Sequence, residues 1–340
     1  MTSYQRFTAL SELKQRILSQ GTALDDIITA AHQRNPWFTP EQTRHAIHAN
    51  LDLLNQVDLE NWIKPYLGNF AELSDKTVGL ILAGNIPMVG FHDVLSCLIA
   101  GFKIQIKASS DDKILIPYIL NELIDIEPEF QSRISIVDKL SNFDLIIATG
   151  SNNTSRYFDY YFRNVPHIIR KNRNGIAVVS KDDSKEDLQK LGSDIFDYFG
   201  LGCRNVSKIF FPRGFNYTTF FEAIESFSEI SNHYKYNNNY EYNKAIYLVN
   251  GDEHLDNGFL LLKRDERIAS PLGVVYYEEY DDIDQVKRRL ASEAENIQCL
   301  VGNIDMDAKI SKVAFGESQQ PGLSDYADGV NILDFLNANR

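Results

Sequence analysis

KTVGLILAGNIPMVGFHDVLSCLIAGFKIQIK, residues 76–107, holds the pattern from which the fold can be read. Val78–Ala83 is a short apolar run closed by Gly84-Asn85, Pro87–Ala100 repeats its apolar residues at helical spacing, and Phe102–Lys107 is a second short run. The alternation continues with a helix over Asp111–Ile124, strands over Ile134–Val137 and Leu145–Thr149, a helix over Asn153–Arg163 and a strand over His167–Arg170. Strands alternating with helices of about 10–15 residues make a parallel sheet wound by helices. Ligands on such sheets bind at the carboxyl ends of strands, here Gly84-Asn85, Lys107–Ser110 and Thr149–Ser151.

Upstream, residues 8–66 read as helices: Leu10, Leu13 and Ile17, then Leu24, Ile27 and Ile28, recur at helical spacing. Thr39-Pro40-Glu41-Gln42 is a start signal, with Thr39 as cap and Pro40 in the first turn. Downstream, a second unit begins near Gly175. It holds a strand over Ile176–Ser180, helices over Lys185–Phe199 and Tyr217–Phe227, and strands over Lys208–Phe211, Ala245–Val249, Gly258–Leu262, Gly273–Tyr277 and Gln298–Gly302, with a helix over Ile283–Ala294. Ser231–Asn243, rich in Asn and Tyr, reads as a surface excursion.

Within that unit lies Gly200-Leu201-Gly202-Cys203-Arg204-Asn205-Val206, a cysteine among small, flexible residues where a helix meets a strand. Such a thiol is placed to be reached, whereas Cys97 and Cys299 sit inside apolar runs as core residues do. Three cysteines at unrelated positions make no disulfide framework, and no close Cys/His pair points to zinc or another metal. A reduced, cytoplasmic setting is expected. The 340 residues contain no apolar run long enough for a membrane span and no signal-peptide core at the start. A formal charge of −13 argues against nonspecific nucleic-acid binding.

Taken in order, four stretches resemble the aldehyde dehydrogenase superfamily. Gly84-Asn85-Ile86-Pro87 resembles its Asn-x-Pro turn, Lys107-Ala108-Ser109-Ser110 its Lys-Pro-x-x turn, Thr149-Gly150-Ser151 its Thr-Gly-Ser loop, and Cys203 falls at its nucleophile. Gly90-Phe91-His92-Asp93, the residues around Cys203 and Pro321–Gly329 resemble the LuxC-like fatty acyl-CoA reductases. The resemblance implies two lobes, each with a parallel-dominated sheet wound by helices, plus an N-terminal helical arm. The arm is expected over 1–75, a dinucleotide-binding domain over 76–174, a catalytic domain over 175–312 and a tail packing on the core over 313–340.

The resemblance further implies that Cys203 attacks an acyl thioester such as acyl-CoA, holding the acyl group as a thioester, with the Asn85 amide on the oxyanion. Lys107, Ser110, Thr149, Gly150 and Ser151 would bind the nicotinamide cofactor, and His92 is a candidate proton relay or a packed residue. Ser110 stands where many NAD-preferring members have a glutamate; a hydroxyl tolerates a 2′-phosphate, so NADPH is expected with NADH as the alternative, although Asp111 and Asp112 lie close by. Homo-oligomeric assembly and acyl-transferring or acyl-activating partner proteins are also implied.

Two departures matter. Arg170-Lys171-Asn172-Arg173 occupies the place of the Glu-Leu-Gly-Gly motif whose glutamate activates water, and a guanidinium is no general base. The missing base points to reduction of an acyl-CoA to an aldehyde; aldehyde oxidation, or a non-catalytic scaffold, are the competing readings. The second glutamate, on the nicotinamide ribose, has no counterpart in Arg267–Val274. Cys203 also follows a helix, and the carbonyl end of a helix disfavours an anion.

Overall fold

Four helices come first in the computed structural model, which describes residues 1–150, 152–306 and 310–340. They are α1 (Ser3–Leu18), α2 (Thr22–Arg34), α3 (Pro40–Asp52) and α4 (Gln56–Ile63). Thr2 and Gln5 form a reciprocal capping box at the start of α1, and Thr39 caps α3 with Pro40 in its first turn, as the sequence predicts. The buried face of α1 carries Leu10, Leu13 and Ile17. These side chains share one core with Val78, Leu80, Val94, Ile104 and Ile106, so the helical arm packs directly on the sheet that follows.

That sheet runs β3-β2-β1-β4-β5, all parallel, from β1 (Thr77–Ile81), β2 (Lys103–Lys107), β3 (Ile134–Ile136), β4 (Leu145–Thr149) and β5 (His167–Arg170). The wrapping helices are α5 (Phe91–Ile99), α6 (Leu115–Ile126) and α7 (Asn152–Tyr161). All of α5 but His92 is buried. It begins at Phe91 rather than Pro87 because Pro87–Gly90 form a turn in which Met88 is left-handed (φ 58°). Met1–Asn172 and Gly322–Arg340 make up this first unit, Arg173–Pro321 the second.

The second unit's sheet runs β12-β11-β6-β7-β10-β9-β8 and is parallel except for the β8–β9 pair. Its elements in chain order are β6 (Asn174–Val178), α8 (Lys185–Phe196), β7 (Val206–Pro212), α9 (Tyr217–Ala223), α10 (Tyr234–Asn250), β8 (His254–Asp256), β9 (Leu261–Arg264), β10 (Val274–Tyr280), α11 (Ile283–Ser292), β11 (Ile297–Val301) and β12 (Ser311–Val313). The chain then re-enters the first unit and ends in α12 (Ile332–Ala338), which packs on α5 through Ile332, Leu333 and Leu336.

The expected excursion at Ser231–Asn243 and strand at Ala245–Val249 are corrected to the single helix α10. Tyr236, Tyr240, Asn243 and Tyr247 form its buried face. Their polar groups are satisfied: Tyr236 donates to the Phe259 carbonyl (2.9 Å), Tyr240 to Asp256 (2.6 Å), and Asn243 to the Leu272 carbonyl (3.0 Å). The strand expected over Gly258–Leu262 is the β8–β9 hairpin, and α9 stops at Ala223.

Candidate active site

In the second unit the helix α8 ends against a turn that leads into β7. Tyr198, Phe199 and Gly200 follow one another with φ of 53°, 60° and 76°. Side chains resist that region at roughly 1–3 kcal/mol each, so the surroundings must hold it. Tyr198 and Phe199 are buried, and Phe199 lies on the His233 ring (4.3 Å between centroids). Cys203 is exposed on the turn, whereas Cys97 and Cys299 are buried, as expected.

The two residues after the thiol point inward. Arg204 donates from Nε to the Ser318 carbonyl (2.6 Å), and its own carbonyl accepts the Cys299 thiol (3.6 Å). Asp194 on α8 accepts the N–H groups of Gly316 (2.7 Å) and Ser318 (2.9 Å), fixing the segment that receives Arg204; burial pushes its carboxyl pKa up, the N–H bonds opposing. Asn205, 4 % exposed, donates from Nδ2 to the carbonyls of Asp194 (3.1 Å), Ile195 (3.4 Å) and Asp197 (2.9 Å), and its Oδ1 accepts the Gly202 N–H (2.8 Å). The carbonyl end of α8, unfavourable to a neighbouring thiolate, is thereby covered by amide hydrogens. The Gly175 N–H reaches the Asn205 carbonyl (3.0 Å). A Cβ on Gly175 would fall 2.5 Å from the Arg204 carbonyl oxygen, so only glycine lets β6 pass this close.

In the first unit the predicted oxyanion residue Asn85 and the predicted cofactor residues lie at the carboxyl ends of adjoining strands. Asn85 is exposed in the turn after β1, Lys107 is the exposed last residue of β2, Ser110 is exposed just beyond it, and Thr149 ends β4. The Gly150 N–H points to the Arg170 carbonyl (3.4 Å); Ser151 lies outside the described residues. The turns after β1 and β2 press together: a Cβ on Gly84 would sit 2.6 Å from the Ser109 side chain. Asp112, 4 % exposed, locks both, accepting the Met88 N–H on Oδ2 (2.9 Å) and the Leu115 N–H on Oδ1 (3.2 Å). Burial raises its pKa while those N–H groups oppose the rise.

His92, in the first turn of α5, is packed near Trp62 (5.4 Å) and Tyr326 (5.9 Å between ring centroids), and its Nε2 bonds the Leu323 carbonyl (3.0 Å). Burial lowers its pKa, with Asp93 opposing. The Pro321–Gly329 motif thus docks on His92, and Trp62 donates to the Tyr326 hydroxyl (2.7 Å). Arg170, standing where the resemblance would put a water-activating glutamate, grips Asp93 with both Nη groups (2.5 and 2.8 Å) in a buried pair. Sequence reasoning gave no role to Asn205, Asp194 or Arg34, although Asn205 stands two residues after the thiol.

Residues 10–226, which contain Cys203 and every other predicted site residue, match the family model of acyl-CoA reductases (LuxC). No curated protein matches the sequence. Among solved structures, aldehyde dehydrogenase 21 of Physcomitrella patens, in complex with succinate, is similar at a TM-score of 0.72 and 14% identity, covering 100% of this chain and 84% of that one. The Mycobacterium tuberculosis aldehyde dehydrogenase complexed with NAD+ gives 0.66 and 14%, covering 92% and 77%. An NAD-dependent benzaldehyde dehydrogenase from Corynebacterium glutamicum gives 0.68 and 12%, covering 94% and 83%. These likenesses establish the fold, and with the family match over most of its length the chain belongs to the LuxC acyl-CoA reductases, built on the aldehyde dehydrogenase architecture.

Proposed function

We propose that the protein reduces an acyl-CoA, a fatty acyl-CoA foremost, to the aldehyde through a thioester on Cys203, with NADPH as reductant. The observation that carries this reading is the Cys203 turn, an exposed thiol on a buried support in a chain of the acyl-CoA reductase family. The Cys203 sulfur adds to the acyl carbonyl, the bond to the CoA sulfur breaks, and CoA leaves as its thiolate. The Asn85 amide and the Cys203 N–H are assigned to the oxyanion, a donor of this kind being worth about 10²–10³ in rate. A bound nicotinamide dinucleotide supplies the hydride that the thioester carbon accepts. As the carbon–sulfur bond then breaks, the aldehyde departs and Cys203 keeps the electron pair. Arg170, committed to Asp93, offers no base for water, which favours reduction over hydrolysis.

Lys107, Ser110, Thr149 and Gly150 would hold the cofactor, and the groups present suit it: an exposed ammonium and hydroxyls at the ends of neighbouring strands, with a glycine that lets a ligand approach. NADPH draws support from Arg34, at the end of α2, whose Nε donates to the Ser110 carbonyl (3.1 Å) and so brings a guanidinium to the turn assigned to the cofactor, a group suited to a 2′-phosphate. Asp112, turned inward onto backbone N–H groups, does not oppose that phosphate; Asp111 remains exposed. His92 is kept as a packing residue. Acyl-transferring or acyl-activating partner proteins and homo-oligomeric assembly belong to the same reading.

Labelled acyl-CoA tests it. The wild type should take up label and release it as aldehyde on addition of NADPH, while Cys203→Ala takes up none and loses at least about 10⁴ in turnover. Undiminished reduction by Cys203→Ala sinks the reading, and NAD reduction by added aldehyde without the reverse reaction supports an oxidiser instead. Arg34→Ala should raise KM for NADPH about tenfold and leave KM for NADH unchanged; an equal change for both cofactors removes the case for a 2′-phosphate contact.

A further inference from the structure

We propose that Asn205 is a positioning residue for the Cys203 thiol; the inference rests on the assignment of Cys203 as nucleophile. Its side chain bonds on both sides of the turn that carries the sulfur. Nδ2 reaches back to the end of α8 at Asp194, Ile195 and Asp197, sharing two hydrogens among three carbonyls. Oδ1 takes the N–H of Gly202, the residue just before the thiol, and the Asn205 N–H closes the turn on the Gly202 carbonyl (3.1 Å). One amide therefore spans from α8 to the residue flanking Cys203, enclosing the left-handed run Tyr198–Gly200.

Arg204 ties its side chain to Ser318, and Gly175 donates its N–H to the Asn205 carbonyl. Loss of the Asn205 side chain removes its bonds to three helix-end carbonyls and to the Gly202 N–H, and with them a bracket around the left-handed residues. The thiol then samples several positions. A displacement of about 1 Å at a reacting atom costs on the order of 10²-fold in rate without touching the surfaces that bind substrate.

The test compares Asn205→Ala, Asn205→Asp, Cys203→Ala and Leu191→Ala, the last a buried α8 residue away from the turn. All are assayed well below their unfolding temperatures with acyl-CoA and NADPH. Asn205→Ala should lower kcat and the single-turnover rate of Cys203 acylation about 100-fold with KM for acyl-CoA within about twofold. Asn205→Asp keeps the shape and the acceptor for Gly202 but sets a carboxylate against the helix-end carbonyls. It should fall between Asn205→Ala and wild type, and it carries the test if Asn205→Ala does not fold. Leu191→Ala should lose stability while keeping kcat. Wild-type acylation by a folded Asn205 variant, or an equal loss in Leu191→Ala, overturns the positioning role. Activity in Cys203→Ala instead overturns the functional reading itself, so the two failures are distinct.

Discussion

Two turns of this protein solve opposite problems. The turn after β1 presents the Met88 N–H and the amino end of α6 the Leu115 N–H, and a buried carboxylate, Asp112, accepts both. The turn before β7 leaves the carboxyl end of α8, whose carbonyls need donors, and a buried amide, Asn205, supplies them. Both turns contain left-handed residues with side chains, Met88 in one and Tyr198 with Phe199 in the other. The chemistry of each clamp follows from helix polarity: an acid suits the end rich in N–H groups, an amide the end rich in carbonyls. An acid in place of Asn205 would also set a negative charge beside the sulfur that the proposed function makes the nucleophile.

The comparison can be broken most forcefully at Gly175. Gly175→Ala pushes a methyl against two backbone carbonyls of the Cys203 turn, at 2.5 and 2.7 Å, which side-chain movement cannot relieve. It should cost about 1–3 kcal/mol of stability and reduce turnover more than cofactor affinity; calorimetry and a kcat-against-KM split read both. A neutral outcome would mean the turn has slack that the packing does not show. A smaller effect is expected at the other clamp. Asp112→Ala orphans the Met88 and Leu115 N–H groups and should cost about 2 kcal/mol by urea denaturation. It should raise KM for the cofactor while leaving Cys203 acylation intact; loss of acylation instead would contradict the division of labour drawn above. Smallest is a pH effect. Because burial raises the Asp112 pKa in the folded state, the wild type should lose stability relative to Asp112→Asn as the pH rises from about 4 towards neutrality. A difference that stays flat with pH would show that folding leaves the Asp112 pKa unshifted.

Much of this was legible from residues alone, and for physical reasons. The first sheet announced itself because buried parallel strands such as Leu145–Thr149 are continuous apolar runs. Cys203 stood out because its neighbours are small, and Lys107 and Thr149 because strand ends carry them. The helix α10 did not, since Asn and Tyr are poor helix formers and polar; their burial became affordable only through bonds to Phe259, Asp256 and Leu272, which lie farther along the chain. The Asn205 clamp was hidden differently. Its acceptors are backbone carbonyls, which every residue owns, so no residue type in the sequence marks them. Arg34 was equally silent, because its partner is the Ser110 carbonyl, far away in sequence.

The return of the chain to its first unit has an effect on the order of assembly. On the ribosome, Arg173–Pro321 is made in full before α12 emerges. The inserted unit can therefore complete its sheet while the earlier one still lacks the helix whose Ile332, Leu333 and Leu336 cover α5. Until α12 is made, the apolar face of α5 that it covers has no helix over it.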